Sequence, residues 1–103
     1  MITITAKYVH LLREVVGKFS IELRLEDEIT VGQLLDQHIA KYGYEFKRWA
    51  VVTYPDREKP VINIQVNGIG VNYPPICPEG LNTVLKEGDE VVFGLMPFGG
   101  GSA

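Results

Sequence analysis

Cysteine, histidine and long apolar runs are all scarce in this 103-residue sequence. Its one cysteine, Cys77, has no intramolecular partner for a disulfide, which is typical of a reducing compartment. No segment approaches the roughly 20 apolar residues that a membrane-spanning helix needs, and the first residues alternate polar and apolar side chains instead of resembling a signal peptide. The sequence therefore predicts a soluble, cytoplasmic protein that does not enter a membrane.

Excess positive charge is also absent. The formal net charge is −3, so the chain has no general attraction for phosphate backbones and nucleic acid is not an expected partner. Apolar residues make up 46% and charged residues 22%, which is ordinary globular usage and argues against a largely disordered chain. The length accommodates one domain, which we place at residues 1–98, followed by a flexible tail at residues 99–103.

Residues that commonly carry catalysis or bind metals form no recognisable pattern. The two histidines, His10 and His38, stand in no ligand spacing with Cys77 or with a pair of carboxylates. Cys77 lies between prolines in "PPICPEG", a context more typical of a small packed thiol than of a nucleophile. We therefore expect no metal site and no bound cofactor.

Two amphipathic strands open the chain. In "ITITAKYV" the apolar face carries Ile2, Ile4, Ala6 and Tyr8, and in "KFSIELRLE" it carries Phe19, Ile21, Leu23 and Leu25. Between them, "HLLREVVG" suits either a helical turn or a wide loop, with Leu11, Leu12 and Val15 turned inward. The pair is predicted to form a broad hairpin.

A helix is predicted over about residues 31–42. Thr30 and Gln33 have the spacing of a capping box, and Gly43 suits a left-handed cap at the other end. The apolar stripe comprises Val31, Leu34, Leu35, Ile39 and Tyr42, and the outward face comprises Gln33, Asp36, Gln37 and Lys41. The segment that follows, residues 44–60, mixes aromatic and charged residues, can begin as a helical turn and breaks at its prolines.

The remaining chain predicts further strands. Asn67-Gly68 in "VINIQVNGIGVN" indicates a type I′ hairpin, and "LKEGDEVVFGLM" predicts a turn feeding a strand over Val91 to Leu95 that is covered on both faces. The order β-β-α-β-β-β favours an α+β fold of the β-grasp (ubiquitin-like) type, a mixed sheet of four to five strands with one main helix on one face. In that fold the first and last strands are parallel and central, so the chain leaves from the middle of the sheet.

The sequence ends with "MPFGGGSA", for which composition alone leaves two interpretations open. Small residues at a chain end are often frayed or come from an expression vector. Alternatively, an extended glycine terminus without side chains can enter a narrow tunnel and present its carboxylate to another protein's active site. Such a carboxylate would need activation as an acyl-adenylate before a sulfur or amine nucleophile could take over the carbonyl.

Five segments in order resemble the MoaD/ThiS family of ubiquitin-like sulfur carriers, and within it the small subunits of molybdopterin synthase. They are "AKYVHLLREVVG", "EDEITVGQLLDQ", "INIQVNG", "LKEGDEVVF" and the tail glycines. The resemblance implies that an E1-like enzyme uses ATP to adenylate the C-terminal glycine, which becomes a thiocarboxylate. It further implies that the tail inserts into a large-subunit-like partner and delivers sulfur for molybdenum or tungsten cofactor, the chain itself having no active site.

Two departures from the family pattern affect the expected site. The diglycine aligns best with Gly99-Gly100, with Gly100-Gly101 one residue off, yet Ser102 and Ala103 follow. The resemblance therefore implies Gly100 as the acyl carrier, flanked by Gly99 and Gly101, after a processing protease removes two or three residues. "LMPFGGG" also places Phe98 where many members have proline.

Partner contacts are expected near the start of the tail, at Leu95, Met96 and Phe98, because exposed apolar residues there suit docking. For Leu95 and Met96, a place in the core is equally compatible with the sequence. Two other functions stay open: a ubiquitin-like modifier joined through its diglycine to lysines, and a non-carrier β-grasp subunit of a larger enzyme complex. The segment 44–60 is longer than in compact members of the family, which leaves the choice of partner open.

Overall fold

The computed structural model describes residues 1–52, 55, 61–71 and 80–94. The strands are β1 (Ile2–Tyr8), β2 (Ser20–Leu25), β3 (Val51–Val52), β4 (Val61–Ile62), β5 (Ile64–Val66), β6 (Ile69–Gly70) and β7 (Glu90–Phe93). The helices are α1 (Leu11–Val16), α2 (Val31–Tyr42) and α3 (Tyr44–Ala50), and a 3₁₀ turn spans Gly80–Asn82. None of these helices is long and apolar enough to cross a membrane.

The main sheet has five strands in the order β2-β1-β7-β5-β6. β1 and β7 are parallel, and the β1–β2, β5–β7 and β5–β6 pairs are antiparallel. The last strand therefore lies in the middle of the sheet beside the first. This arrangement confirms the predicted α+β, β-grasp fold.

β1 and β2 follow the predicted alternation, with one exception. Ile4, Ala6 and Tyr8 are buried, and the helix-side residues of β2 are half-buried at the edge of the core. Phe19 was expected on the dry face, but the strand begins only at Ser20 and the Phe19 ring is 47% exposed. The ring instead packs beneath the guanidinium group of Arg13, whose carbon lies 5.6 Å from the ring centre.

Helix α2 begins and ends where the sequence predicts. The Gln33 amide N–H donates to Thr30 Oγ1 at 3.1 Å, and the Thr30 amide N–H donates to Gln33 Oε1 at 2.9 Å, so the capping box is complete. The prediction of a left-handed cap at Gly43 is wrong, because its φ of 83° is combined with a ψ of −162°. That conformation turns the chain directly into α3, which also begins after Gly43.

Helices form before and after α2, at the places where the sequence allowed helical turns. Between β1 and β2 the chain forms α1 and not a wide loop, and α1 buries Leu12 while leaving Leu11 43% exposed. The expectation that Leu11 turns inward is therefore wrong. α3 buries Phe46 and Ala50 against α1 and α2, and the chain then forms the small β3–β4 sheet. Short helices of this kind depend on tertiary packing more than on local propensity.

The predicted hairpin forms around Asn67 and Gly68, which have φ angles of 51° and 86°. The run before the turn does not stay in one sheet, however. Asn63 separates β4 from β5, because its amide N–H donates to the Ala50 carbonyl at 2.7 Å and its side chain to the Trp49 carbonyl at 3.1 Å. β4 therefore pairs with β3, and only β5 joins the main sheet.

β7 is shorter and less enclosed than predicted. It ends at Phe93 and alternates, with Val91 and Phe93 buried while Glu90 and Val92 are half-buried. The outer face of the sheet is polar at this point, where Lys7 Nζ lies 2.8 Å from Glu90 Oε2. The expectation of a strand covered on both faces is therefore wrong for these residues, and Leu95 lies outside the described residues.

An aromatic cluster in the core contains the only buried polar side chain among the described residues, His38, which is 6% exposed. The rings of Tyr8 and Phe93 stack with centres 5.6 Å apart, and the His38 ring lies 4.7 Å from that of Phe93. His38 Nδ1 lies 2.9 Å from the Leu34 carbonyl, which can only accept, so this nitrogen carries the proton. Nε2 then accepts from the Tyr8 hydroxyl at 2.6 Å.

The environment of His38 favours its neutral form. Burial lowers the pKa of His38 below its usual 6.5, and the positive charge of Lys41 lowers it further, whereas the hydrogen bond to Leu34 opposes both. Burial also raises the pKa of the Tyr8 hydroxyl, which therefore stays a donor. The pair is a neutral hydrogen bond that joins β1 to α2 inside the core.

We predict that the free energy of unfolding falls as the pH drops from about 6.5 toward the lowered folded-state pKa of His38. In that window the unfolded chain binds a proton at residue 38 that the folded chain does not. His38→Gln should remove this contribution to the change of the unfolding free energy with pH, whereas His10→Gln, at an exposed position, should retain it. Urea unfolding of the three proteins between neutral and mildly acidic pH measures the effect. An unchanged slope in His38→Gln would contradict the assignment.

Gly94, directly after β7, sits where the chain passes very close to β1 and α1. Its φ is 84°, and a Cβ there would lie 2.8 Å from the Val9 carbonyl oxygen and 3.1 Å from Leu12 Cδ1. Its N–H donates to the Asn63 carbonyl at 2.8 Å. Only glycine meets both the backbone angle and the space available.

We predict that Gly94→Ala lowers the free energy of unfolding by about 2 kcal/mol or more, through backbone strain plus overlap with Val9 and Leu12. Gly17 supplies a matched control, because its φ is 85° but nothing lies within 4 Å of a Cβ there. Gly17→Ala should cost only the backbone term, about 1 kcal/mol. Urea unfolding measures the unfolding free energy of both variants. Equal losses in Gly94→Ala and Gly17→Ala would show that the close approach at Gly94 contributes nothing.

Candidate functional site at the base of the C-terminal segment

The described chain ends beside the end of β1. The parallel pairing places Tyr8 opposite Phe93, and the Val9 amide N–H donates to the Phe93 carbonyl at 3.1 Å. Gly94 is held on its other side by the bond to Asn63. The residues after Gly94 therefore start from the central strand of the sheet, between the β1–α1 turn and Asn63.

All site residues predicted from the sequence lie outside the described residues. They are the glycines Gly99, Gly100 and Gly101 and the proposed partner contacts Leu95, Met96 and Phe98. Cys77 also lies outside them. These assignments stay predictions. The structure shows the surroundings of Gly94, the last described residue before them, which we call the base of the tail.

A concave surface of about 590 Å³ lies next to that point. It is lined by Val9, His10, Arg13, Glu14, Gly17 and Phe19. Val9 is the residue that Gly94 approaches, so this surface adjoins the base of the tail directly. We call it the α1 surface.

The α1 surface combines exposed apolar area with a cation. The Phe19 ring is substantially exposed, and the Arg13 guanidinium lies over it. The two salt bridges among the described residues are Lys7–Glu90 and Arg48–Glu45, so Arg13 is not engaged in either. Aromatic and arginine side chains are enriched at the centres of protein interfaces.

Backbone geometry brings these side chains together. His10 has a φ of 56°, which turns the chain sharply from β1 into α1. Gly17 ends α1 in the left-handed conformation, with its N–H bonded to the Arg13 carbonyl at 2.9 Å, and returns the chain to β2. From the sequence this segment is predicted only to connect β1 and β2, and its Leu-Arg-Glu run is the one signal that it also presents side chains at the surface.

The described body offers binding surfaces rather than a set of reacting groups. No group of three His, Cys, Asp or Glu residues within these ranges could hold a metal ion. His38 has both ring nitrogens occupied by Tyr8 and Leu34. Its burial was missed from the sequence, although position 38 follows Leu34 by four and Val31 by seven residues, on the apolar stripe of α2.

Comparison with protein families gives a match over nearly the whole chain. The sequence model of the ThiS family matches residues 6–101, which include the end of β1, all of β7 and the three tail glycines. No curated protein sequence matches the chain significantly.

Three solved structures illustrate the relationship. A putative molybdopterin converting factor subunit 1 from Pyrococcus furiosus is 25% identical, with a TM-score of 0.67 over 93% of this chain and 100% of that chain. The small archaeal modifier protein 1 from Methanosarcina acetivorans is 28% identical, with a TM-score of 0.64 over 98% of both chains. CysO from Mycobacterium tuberculosis, at 23% identity, has a TM-score of 0.60 over 90% of this chain and 99% of that chain, and supports the fold alone.

The match and the fold agree on one class of protein. The fold, in this chain a five-stranded mixed sheet with a parallel central pair, is shared with the molybdopterin converting factor subunit and the small archaeal modifier. This fold serves both sulfur carriers of the ThiS and MoaD type and ubiquitin-like small modifiers. Because the family match spans far more than half of its residues, the chain belongs to the ThiS family.

Proposed function

We propose that this protein is a sulfur carrier for molybdopterin synthesis, and that Gly100 or Gly101 carries the sulfur as a thiocarboxylate. The main support is that a glycine-rich terminus follows a strand in the centre of the sheet, next to an exposed surface suited to a partner. The likeness to a putative molybdopterin converting factor subunit supports this pathway in particular. Gly99 supplies the second residue without a side chain.

The chemistry takes place on the terminal carboxylate. One oxygen of the carboxylate attacks the α-phosphate of ATP in an E1-like enzyme, which forms an acyl-adenylate and releases pyrophosphate. A persulfide sulfur held by the activating system then attacks the acyl carbon, AMP leaves and an acyl disulfide forms. A thiol of that system attacks the donor sulfur of this acyl disulfide, which leaves a thiocarboxylate on the terminus and a disulfide on the activating system. ATP is thus a substrate of the partner and not a cofactor of this chain.

Glycines are suited to this role for steric reasons. A chain without side chains fits a narrow tunnel and adopts backbone angles that other residues avoid. Ser102 and Ala103 would keep the carboxylate of either glycine in a peptide bond, so a protease must remove two or three residues first. The exposed thiocarboxylate then inserts into a large-subunit-like synthase partner, guided by Leu95, Met96 and Phe98.

A second candidate function is a ubiquitin-like modifier. The likeness to small archaeal modifier protein 1, at 28% identity, favours it. The same activated glycine would then pass to a lysine amine and form an isopeptide bond. Chymotryptic digestion of proteins from the native host, which cuts after Phe98, would leave a remnant of two or three glycines on lysines if this function operates, and none if the chain only delivers sulfur.

The α1 surface is proposed as the docking site for the activating enzyme. It lies beside Val9, against which the last described residue packs, so a partner that holds the tail must cover it. Arg13 and the Phe19 ring then supply a charged and an apolar contact on one partner surface. The orientation of the tail in the active site would follow from this contact.

We predict that mass spectrometry of the protein from its native host detects a chain ending at Gly100 or Gly101. A further species should be heavier by the mass difference between sulfur and oxygen. In vitro, chains that end at Gly100 or Gly101 should form pyrophosphate and an acyl-adenylate with the activating enzyme, whereas the full chain and a chain lacking residues 99–103 should not. Thermal unfolding of all four chains should coincide, since the tail follows the folded body.

Two results would contradict this proposal. If mass spectrometry detected only chains that extend to Ala103, with no thiocarboxylate, the tail would not be processed. Retention of pathway activity after removal of residues 99–103 would identify a non-carrier subunit of a larger complex.

We predict that Arg13→Glu, in a chain that ends at the working glycine, raises the KM for adenylation about tenfold with little change in kcat. Arg24→Glu is the matched control, because Arg24 is also exposed but pairs with Thr3, at the opposite end of β1 from Gly94. Pyrophosphate exchange measures both constants. Equal effects of the two variants would exclude a specific role for the α1 surface.

A further inference from the structure

A second concave surface lies between β2 and α2, and its lining residues differ from those of the α1 surface. It has a volume of about 280 Å³ and is lined on one side by Ile21, Leu23 and Leu25 of β2. On the other side Tyr42 and Gln37 of α2 contribute a ring and an amide. The β2 side chains are half-buried, so the apolar floor is accessible. We call this the β2–α2 groove.

The groove runs along a strand edge that carries free backbone groups. β2 is the terminal strand of the main sheet, and in the part of the chain that the structure describes it pairs only with β1. The Tyr8 amide N–H donates to the Phe19 carbonyl at 2.8 Å, so Tyr8 and Phe19 are a hydrogen-bonded pair of the β1–β2 ladder. Because hydrogen-bonded pairs alternate in an antiparallel ladder, Ile21, Leu23 and Leu25 direct their backbone groups toward β1.

The intervening residues Ser20, Glu22 and Arg24 therefore direct their N–H and C=O groups away from the sheet. An exposed row of such groups is a template for another extended chain. A strand added there would place every second side chain on the helix side of the sheet, over the groove. Backbone edge and apolar groove thus fit one kind of occupant, an extended peptide.

Charge specifies the occupant further. Lys41, in the last turn of α2, lines the groove, and Lys18 lies just before β2. α2 ends near the start of β2. The ring of Tyr42, at the end of α2, lies next to the ring of His38. His38 in turn hydrogen-bonds to Tyr8, which lies opposite Phe19, the residue just before β2. Neither lysine belongs to a salt bridge among the described residues.

The other end of β2 leads into Glu26, Asp27 and Glu28, all exposed. Arg24, near the end of β2, also lines the groove, so positive charge continues along it and the three carboxylates lie just beyond the strand. A bound peptide that carried carboxylates beside its apolar residues would be attracted to Lys18 and Lys41 at the beginning of β2 and repelled by the three carboxylates beyond its end.

We propose that the β2–α2 groove binds an extended segment of another protein, in which alternating apolar residues are flanked on one side by acidic residues. The segment adds to β2 as a sixth strand of the main sheet. Its apolar side chains cover Ile21, Leu23 and Tyr42, and its carboxylates lie near Lys18 and Lys41. This is noncovalent recognition through a surface that does not use the tail glycines.

The test uses fluorescein-labelled peptides in which valine alternates with threonine, with a run of aspartates either after or before the alternating part. One of the two orders should raise the anisotropy saturably with the full-length protein, and the effective order gives the strand direction. Amide resonances of Ser20–Leu25 and of the last turns of α2 should shift on binding. A peptide with lysines in place of the aspartates should not bind.

Backbone pairing is tested by N-methylating alternate residues of the binding peptide. Methylation in the phase that faces β2 should abolish binding, whereas methylation in the opposite phase should leave it. Lys41→Glu should weaken binding about fivefold, and Lys47→Glu, an exposed lysine on α3, should leave it unchanged. Removal of residues 99–103 should also leave it unchanged, so this result is independent of the carrier chemistry.

Several outcomes would overturn the proposal. These are the absence of saturable binding by both peptide orders, resonance shifts confined to other surfaces, and equal effects of the two methylation phases. A concentration-dependent dimer in sedimentation, with the same β2 resonances perturbed, would show that a second copy of the chain occupies the edge instead. Peptide binding that appears only after truncation of the tail would show that the chain's own tail fills the groove.

Discussion

The parallel pairing of β1 and β7 is the constraint on which the rest of the structure depends. It joins the two ends of the described chain in the middle of one sheet, with Tyr8 opposite Phe93. Their rings stack in the core, and the Tyr8 hydroxyl reaches across to His38 on α2. Two neighbouring parallel strands cannot be joined by a tight turn. The chain between β1 and β7 therefore has to cross back to the end of the sheet at which β1 begins. The pairing therefore sets both the core and the exit of the tail.

Close packing at that exit limits what the sequence can be. Gly94 fits between Val9 and Leu12 only because it lacks a side chain, and its N–H is held by the Asn63 carbonyl. Asn63 is itself fixed by bonds to the Trp49 and Ala50 carbonyls, at the end of α3. These hydrogen bonds tie the end of β7 to the end of α3, so the folded body sets the position from which the chain continues.

Local patterns explain which elements were predictable. β1, β2 and α2 have clear periodicity, and Thr30 with Gln33 marks the helix start, because these signals are contained within a few residues. The split at Asn63 and the burial of His38 depend on partners distant in sequence, the Ala50 carbonyl and the Tyr8 hydroxyl. α3 was left unassigned for the same reason, since its buried face is defined by α1 and α2. The α1 surface escaped prediction because Phe19 continues the apolar alternation of β2 yet lies before the strand begins.

Phe19 is the point at which the two proposed binding surfaces meet. Its carbonyl accepts from Tyr8 in the ladder, and its ring belongs to the α1 surface under Arg13. The β2–α2 groove begins at the next helix-side residue, Ile21, and continues toward Leu25, away from Gly94. An enzyme that covers the tail base and a peptide on β2 therefore compete only if the peptide extends past Ser20 toward Lys18. The acidic residues of the peptide are attracted to that same end of β2. A short acidic run therefore allows the peptide to bind while the tail is in an active site, whereas a longer run excludes the enzyme from the tail base.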